Sequence, residues 1–211
     1  GIHVAVFFPA LFGRLHLRVN YRNHRKIAVI DGKVAYVGGF NIGKEYIGLD
    51  PKFGHWRDIH LRICGSAVGG LLLRYIQDWD YAARENLFEN PKYFILPEEK
   101  AGNVKMQIIS SGPDSHSQEI RNNYLRLIHM ARKNIFIQTP YFIPDDDIRD
   151  ALIIAAKSGI DVRVMIPCKP DHPFVYWATL SYVGELIMAG ANCYTYDNGF
   201  LHAKGLSIDG K

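Results

Sequence analysis

The chain has 211 residues, 48% apolar and 22% charged, which excludes a disordered or fibrous polymer and leaves an ordinary globular protein of one or two domains. A net charge of +4 favours anionic partners, phospholipid or nucleic acid, without choosing between them. Three cysteines (Cys64, Cys168, Cys193) without a C-x-x-C exclude a disulfide framework and fit a reducing compartment, and no apolar run reaches the ~20 residues of a membrane span.

Residues 2–8 are β-branched and aromatic and read as a buried strand. Residues 15–22 alternate Leu15, Leu17, Val19 and Tyr21 with His16, Arg18, Asn20 and Arg22, a strand with one basic face. The next strand begins at His24 and ends in Asp31-Gly32, a hairpin signal that returns the chain through Val34–Val37. Residues 59–63 form a strand, and from Ser66 the stripe Val68, Leu71, Leu72, Tyr75, Trp79 and Ala82 predicts a helix. Residues 88–103, with Pro91, Pro97 and Gly102, read as a linker.

Beyond it, strands and helices alternate. Residues 104–109 are a strand. Ser115 through Arg132 is a helix, with Ser115 and Gln118 as a capping box. Ile135–Gln138 is a strand, Asp145–Ser158 a helix, Val162–Ile166 a strand and Phe174–Ala189 a helix. Cys193–Tyr196 and Phe200–Ile208 are strands. The pattern implies βαβ units and a parallel or mixed sheet covered on both faces. The acids Asp145-Asp146-Asp147 suit a divalent cation, but after Pro144 and at a helix start they read as N-terminal caps.

One stretch recurs. His24-Arg25-Lys26-Ile27-Ala28-Val29-Ile30-Asp31 and His202-Ala203-Lys204-Gly205-Leu206-Ser207-Ile208-Asp209 both read H-x-K-x4-D, and both continue Gly-Lys. In a strand, positions i and i+2 share a face, so each histidine points with its lysine. Asp31 has the opposite parity, which favours a structural part in the Asp-Gly turn. A histidine can attack phosphorus or carry a proton, and a lysine can hold phosphate oxygens as a point charge. Two such pairs around one phosphodiester suffice for phosphoryl transfer through a phosphohistidine, with no metal or cofactor required.

The paired motif resembles the signature of the phospholipase D superfamily, and Gly38-Gly39-Phe40-Asn41 is similar to that family's G-[SG]-x-N element. Phe40–Tyr46, Trp56-Arg57-Asp58, Gln138–Asp145 and Lys169–Pro173 resemble bacterial cardiolipin synthases, and the resemblance runs along nearly the whole chain. It implies an α/β, phospholipase D-like fold: a mixed β-sheet flanked by helices in two pseudo-symmetric lobes, both incomplete here. Residues 1–90 would be the C-terminal part of the first lobe, 91–103 a linker, and 104–211 the N-terminal part of the second.

The implied activity is phosphatidyl transfer between two phosphatidylglycerols, releasing glycerol. The candidate catalytic residues are His24, Lys26, Asp31, Asn41, Asp58, His202, Lys204 and Asp209. The resemblance makes Asn41 a donor to the phosphate and Asp58 the acceptor that orients a motif histidine, as the acid of a triad does. With Asn41 and Asp58 following His24, that histidine is expected to be the nucleophile and His202 the acid/base, both facing one cleft. Tyr141 and His172 lie in loops where a lipid pocket would form. The expected partners are phosphatidylglycerol and the membrane surface, at the cytoplasmic side of a bacterial cell membrane, with nucleic acid disfavoured. The expected fragment nature makes the isolated chain nearly inactive. The alternatives are another phospholipase D-type phosphodiesterase or nuclease, and a non-catalytic module binding anionic lipid or nucleic acid through the Arg14–Lys26 basic face.

Overall fold

The computed structural model describes residues 1–7, 23–94, 102–112, 115–169 and 171–211. The expected strand at 15–22 and most of the Arg14–Lys26 basic face lie outside them. In chain order the elements are β1 (Ile27–Ile30), β2 (Val34–Gly38), β3 (Trp56–Arg57), β4 (His60–Cys64), α1 (Ala67–Ala83), α2 (Glu119–Met130), β5 (Asn134–Gln138), α3 (Asp146–Lys157), β6 (Asp161–Pro167), α4 (Pro173–Met188), β7 (Asn192–Tyr196), β8 (Phe200–Leu201) and β9 (Gly205–Ile208). None of the described helices is long and apolar enough to cross a membrane.

The chain forms two compact units: residues 1–38 with 60–119, and residues 39–59 with 120–211. This division departs from a split at 91–103 in two places: residues 39–59 join the second unit, and residues 104–119 stay with the first.

In the first unit, β1, β2 and β4 make an antiparallel sheet in that order. Ile27, Val29, Val37, Ala35 and Ile63 pack against Val68 and Leu71 of α1 and against Ile108. The β1–β2 hairpin turns through Asp31 and Gly32, both at positive φ (52° and 66°), as a primed hairpin turn requires. Residues 104–109 make no ladder, and neither do residues 2–7, the described part of the strand expected over 2–8. The expected linker begins with two short 3-10 turns, Leu87–Glu89 and Pro91–Tyr93. The Asp80 carboxylate accepts from the Leu87 N–H at 2.8 Å, which anchors the first of them to α1.

The second unit carries a four-stranded sheet in the order β7-β6-β5-β9, with β5, β6 and β7 parallel and β9 antiparallel to β5. Strand order advances in one direction from β5 to β7, so right-handed crossovers put α3 and α4 on the same face. Arg149 of α3 accordingly reaches Glu185 of α4, 3.6 Å away. Val162, Val164 and Ile166 recur with period two along β6 and pack with Ile135, Leu152 and Leu186, all at most 1% exposed. Burying each such side chain stabilises the unit by roughly 1.5–3 kcal/mol.

Helix α2 starts at Glu119, not at Ser115, and the Ser115 hydroxyl accepts from the Gly112 N–H at 3.1 Å. Asp145 does cap α3, accepting from the Ile148 N–H at 3.0 Å. It also accepts from Arg121 Nε at 2.6 Å, and Arg121 bonds Asp147 as well, so the acidic run is a helix start braced to α2. Arg121 first, then the Ile148 N–H, holds the Asp145 carboxyl below the usual carboxylate range.

Candidate active site

Both motif copies fold alike. In each, the strand begins three residues after the histidine: Ile27 after His24, and Gly205 after His202. Each strand ends at an isoleucine, and an aspartate at φ 52° opens the turn (Asp31, Asp209). The turn is closed by a lysine N–H donating 3.0 Å to that isoleucine's carbonyl, Lys33 to Ile30 and Lys211 to Ile208. The H-x-K residues therefore precede the ladder, which leaves them backbone groups to use. Each lysine ammonium donates to the carbonyl of its own histidine, Lys26 to His24 at 2.7 Å and Lys204 to His202 at 2.6 Å. The expected continuous strand over Phe200–Ile208 is thus two strands, β8 and β9, with His202–Lys204 between them.

His24 is exposed in the first unit. The detailed site lies in the second unit, around His202. There β3 pairs with β8 in parallel, Trp56 opposite Phe200 and Arg57 opposite Leu201. The Phe200 N–H donates to the His55 carbonyl at 2.8 Å and the His202 N–H to the Arg57 carbonyl at 2.8 Å. Continuing that register places Asp58 opposite His202. Asp58 Oδ2 lies 2.6 Å from His202 Nδ1, with side-chain exposures of 1% and 15%. An ionised carboxylate can only accept, so Nδ1 carries the proton and Nε2 presents the lone pair. Lys204 Nζ is 2.9 Å from each ring nitrogen, and of the two only Nε2 can accept from it.

Asp58 serves the second-motif histidine, whereas it was expected to favour His24. Its other oxygen, Oδ1, accepts from the Ile59 N–H at 2.7 Å. A carboxylate this buried needs such partners to stay charged. Gly39 makes room for it: a Cβ there would sit 2.1 Å from Oδ1. The glycine of the Gly38-Gly39-Phe40-Asn41 element therefore has a steric reason. Asn41 itself is exposed, and its amide donates to the Tyr46 hydroxyl.

The rings of Trp56, Tyr46 and Phe200 surround the His202 imidazole, at centroid distances of 5.1, 6.1 and 6.3 Å. Sequence reasoning named none of them for the site, although Trp56 stands two residues before Asp58. The apolar wall limits water around the Asp58–His202 pair and strengthens its electrostatics.

The two aspartates that complete the motifs are turn residues. Asp31 is exposed. The Asp209 carboxylate accepts from the backbone N–H groups of Lys133 (2.7 Å), Asn134 (3.0 Å) and Arg132 (3.0 Å). The Asn134 and Lys133 N–H groups, more than that of Arg132, hold it below the usual carboxylate range. Asp209 therefore ties the end of β9 to the start of β5, and Asp31 opens the β1–β2 turn, so the contacts described for both acids are those of the turns they begin.

A family described as "Cardiolipin synthase, PLD-like domain" matches residues 124–211, the part that holds the second motif. A cardiolipin synthase of Oceanobacillus iheyensis is 54% identical over 211 residues, 100% of this chain and 43% of that protein. The major cardiolipin synthase ClsA of Bacillus subtilis is 56% identical over 210 residues, 99% of this chain and 43% of that protein. The chain belongs to the cardiolipin synthase family of phospholipase D-like proteins. It spans less than half the length of these relatives. The crystal structure of phosphatidylserine synthase from Haemophilus influenzae shares the fold, with a TM-score of 0.57 at 15% identity, over 88% of this chain and 52% of that one.

Two further side chains of this family member were singled out for a lipid pocket. Tyr141 donates its hydroxyl to Asp171, and burial, then that bond, pushes its phenol well above its usual range. His172 precedes α4 with its side chain 72% exposed. The Phe142 N–H, between these loops and the core, donates to the buried Thr179 hydroxyl at 3.1 Å.

Proposed function

We propose that the protein is a phosphatidyltransferase that makes cardiolipin from two phosphatidylglycerols through a covalent phosphohistidine. The observation that carries the reading is the buried Asp58–His202 pair with Lys204 at its edge. A carboxylate-held imidazole is suited to proton transfer, and a neighbouring ammonium to a phosphate oxygen.

In this reading His24 attacks the phosphorus of the first phosphatidylglycerol. A P–N bond forms as the P–O bond to glycerol breaks, and the imidazolium of His202 gives the leaving oxygen its proton. His202, now neutral, takes a proton from the terminal hydroxyl of a second phosphatidylglycerol. That oxygen attacks phosphorus, the P–N bond breaks, and cardiolipin leaves with both histidines restored. Lys26 and Lys204 offset the charge on the non-bridging oxygens.

That relatives 54% and 56% identical to the chain are cardiolipin synthases supports this choice of product. The same reading places the protein at the cytoplasmic side of a bacterial cell membrane, with anionic phospholipid as its partner. It also makes the chain the middle of a two-lobed enzyme, so the isolated 211 residues should turn over far more slowly than the full-length protein.

The test is the full-length protein on phosphatidylglycerol vesicles. Cardiolipin and glycerol should appear in equal amounts and vanish in the His202→Asn variant. Release of phosphatidic acid without cardiolipin, or cleavage of DNA in place of lipid, would replace this reading with that of a hydrolase.

A further inference from the structure

We propose that Asp78 is a positioning residue for the first motif, holding the chain on both sides of His24 so that His24 and Lys26 face the substrate. This rests on the reading above, that His24 and Lys26 act on phosphate. Asp78 lies on α1, where the apolar stripe places side chains toward the sheet. Its side chain is 12% exposed. Asn23 Nδ2 donates to Asp78 Oδ2 at 2.9 Å, and Arg25 donates to both carboxylate oxygens at 3.2 Å.

Those two residues flank His24. Asn23 and Arg25, both half-buried, are fixed against α1, and His24 between them is exposed. Holding its two neighbours on the helix therefore leaves His24 on the outer side. Three further bonds stiffen the clamp. The Arg25 N–H donates to Asn23 Oδ1 at 2.9 Å, Arg25 also donates to the Ser111 carbonyl at 3.3 Å, and Arg74 pairs with Asp78 one helical turn along α1. A single carboxylate thus collects two guanidinium groups and one amide. Charge-assisted bonds of this kind are the stronger and more directional ones. His24 itself precedes the β1 ladder, so the ladder does not set its direction and the clamp does.

The experiment is single-turnover formation of the covalent state from radiolabelled phosphatidylglycerol in the full-length protein. Asp78→Ala should lower the rate constant for covalent bond formation by roughly 10- to 100-fold, the size of effect that misplacing a reacting group by about 1 Å can produce. The apparent affinity for the lipid should change by less than about threefold, and the labelled fraction at completion should match wild type. Asp78→Asn keeps an acceptor for Asn23 and should recover part of the rate. Asn23→Ala leaves the Asp78 ion pairs intact and should slow the step roughly threefold to tenfold. It keeps the test decisive if Asp78→Ala does not fold. A lowered labelled fraction with an unchanged rate constant would show a purely structural role and overturn the proposal. If the wild-type protein makes cardiolipin without any covalent label, the phosphohistidine reading fails instead, whatever Asp78 does.

Discussion

Asp58 follows the first H-x-K motif along the chain, and its Oδ2 lies 2.6 Å from Nδ1 of His202, in the second. The β3–β8 ladder sets this pairing, because Trp56 opposite Phe200 and Arg57 opposite Leu201 leave Asp58 opposite His202. The asymmetry expected from chain order is therefore reversed. The orienting acid supports His202 as the proton carrier, and it bears on His24 only by leaving that histidine the attacking role. Sequence order says which acid is near in the chain; strand register says which acid is near in space.

Replacing Asp58 by Asn should lower kcat for cardiolipin formation by roughly 10²- to 10⁴-fold, the span of general acid–base catalysis. The amide either loses the charge that stabilises the imidazolium or donates to Nδ1 and moves the proton to Nε2. KM for phosphatidylglycerol should stay within about threefold, since uniform binding is untouched. Steady-state turnover of the full-length variant on lipid vesicles checks this. A kcat close to wild type would remove the carboxylate from the mechanism.

Gly39→Ala should act through the same carboxylate. Its Cβ would meet Asp58 Oδ1 at 2.1 Å, so the acid or the strand must shift. Overpacking of this kind costs about 1–3 kcal/mol of stability. The loss of turnover should resemble that of Asp58→Asn, and the double variant should be little worse than either one, since both changes remove one contact. Additive losses would mean that Gly39 matters for another reason.

What was legible in the sequence was local. The apolar run Ile27-Ala28-Val29-Ile30 before Asp31-Gly32 specifies strand and turn by neighbours alone, and the second copy repeats the Asp-Gly turn. Val162, Val164 and Ile166 likewise announce β6 by their period. What was not legible depends on partners far along the chain. Residues 104–109 have strand-like composition and no ladder to join. Ser115 has capping chemistry, but its hydroxyl is taken by the Gly112 N–H. Phe200–Ile208 reads as one run, and the backbone N–H groups of His202 and Ala203 go instead to the Arg57 carbonyl, which breaks the strand in two. The candidate site was legible as a set of residue types. Its pairing was not, because a motif carries no information on which loop will lie against it.

Asp209 makes a stability prediction with a definite sign. Its folded-state pKa is depressed, chiefly by the N–H groups of Asn134 and Lys133. Its contribution is therefore fully present above the unfolded value of about 3.9 and lost as pH falls through the lower folded value. Asp209→Asn, which keeps one acceptor and removes the charge, should lower the urea midpoint at pH 7. The difference from wild type should narrow as pH drops below about 4. A constant gap across that range would mean that shape, and not charge, makes the anchor.

In the proposed reaction one of the two motif histidines carries the phosphatidyl group. A carboxylate on Nδ1 fixes one tautomer, leaves Nε2 to exchange a proton and steadies the positive ring, which is how the acid of a triad serves its base. By that argument His202, paired to Asp58, is the acid/base, and His24 is left as the attacking group. Loss of His202 should then slow breakdown of the intermediate, where a lipid hydroxyl must be deprotonated, more than its formation. Radiolabelled phosphatidylglycerol and a denaturing quench of the full-length His202→Asn variant should leave label on His24. His24→Asn should form none. The label should also be stable in alkali and labile in acid, as a phosphoramidate is and a phosphate ester is not. Label on His202 in the wild-type protein, or label that persists in His24→Asn, would exchange the two roles and make Asp58 the partner of the nucleophile.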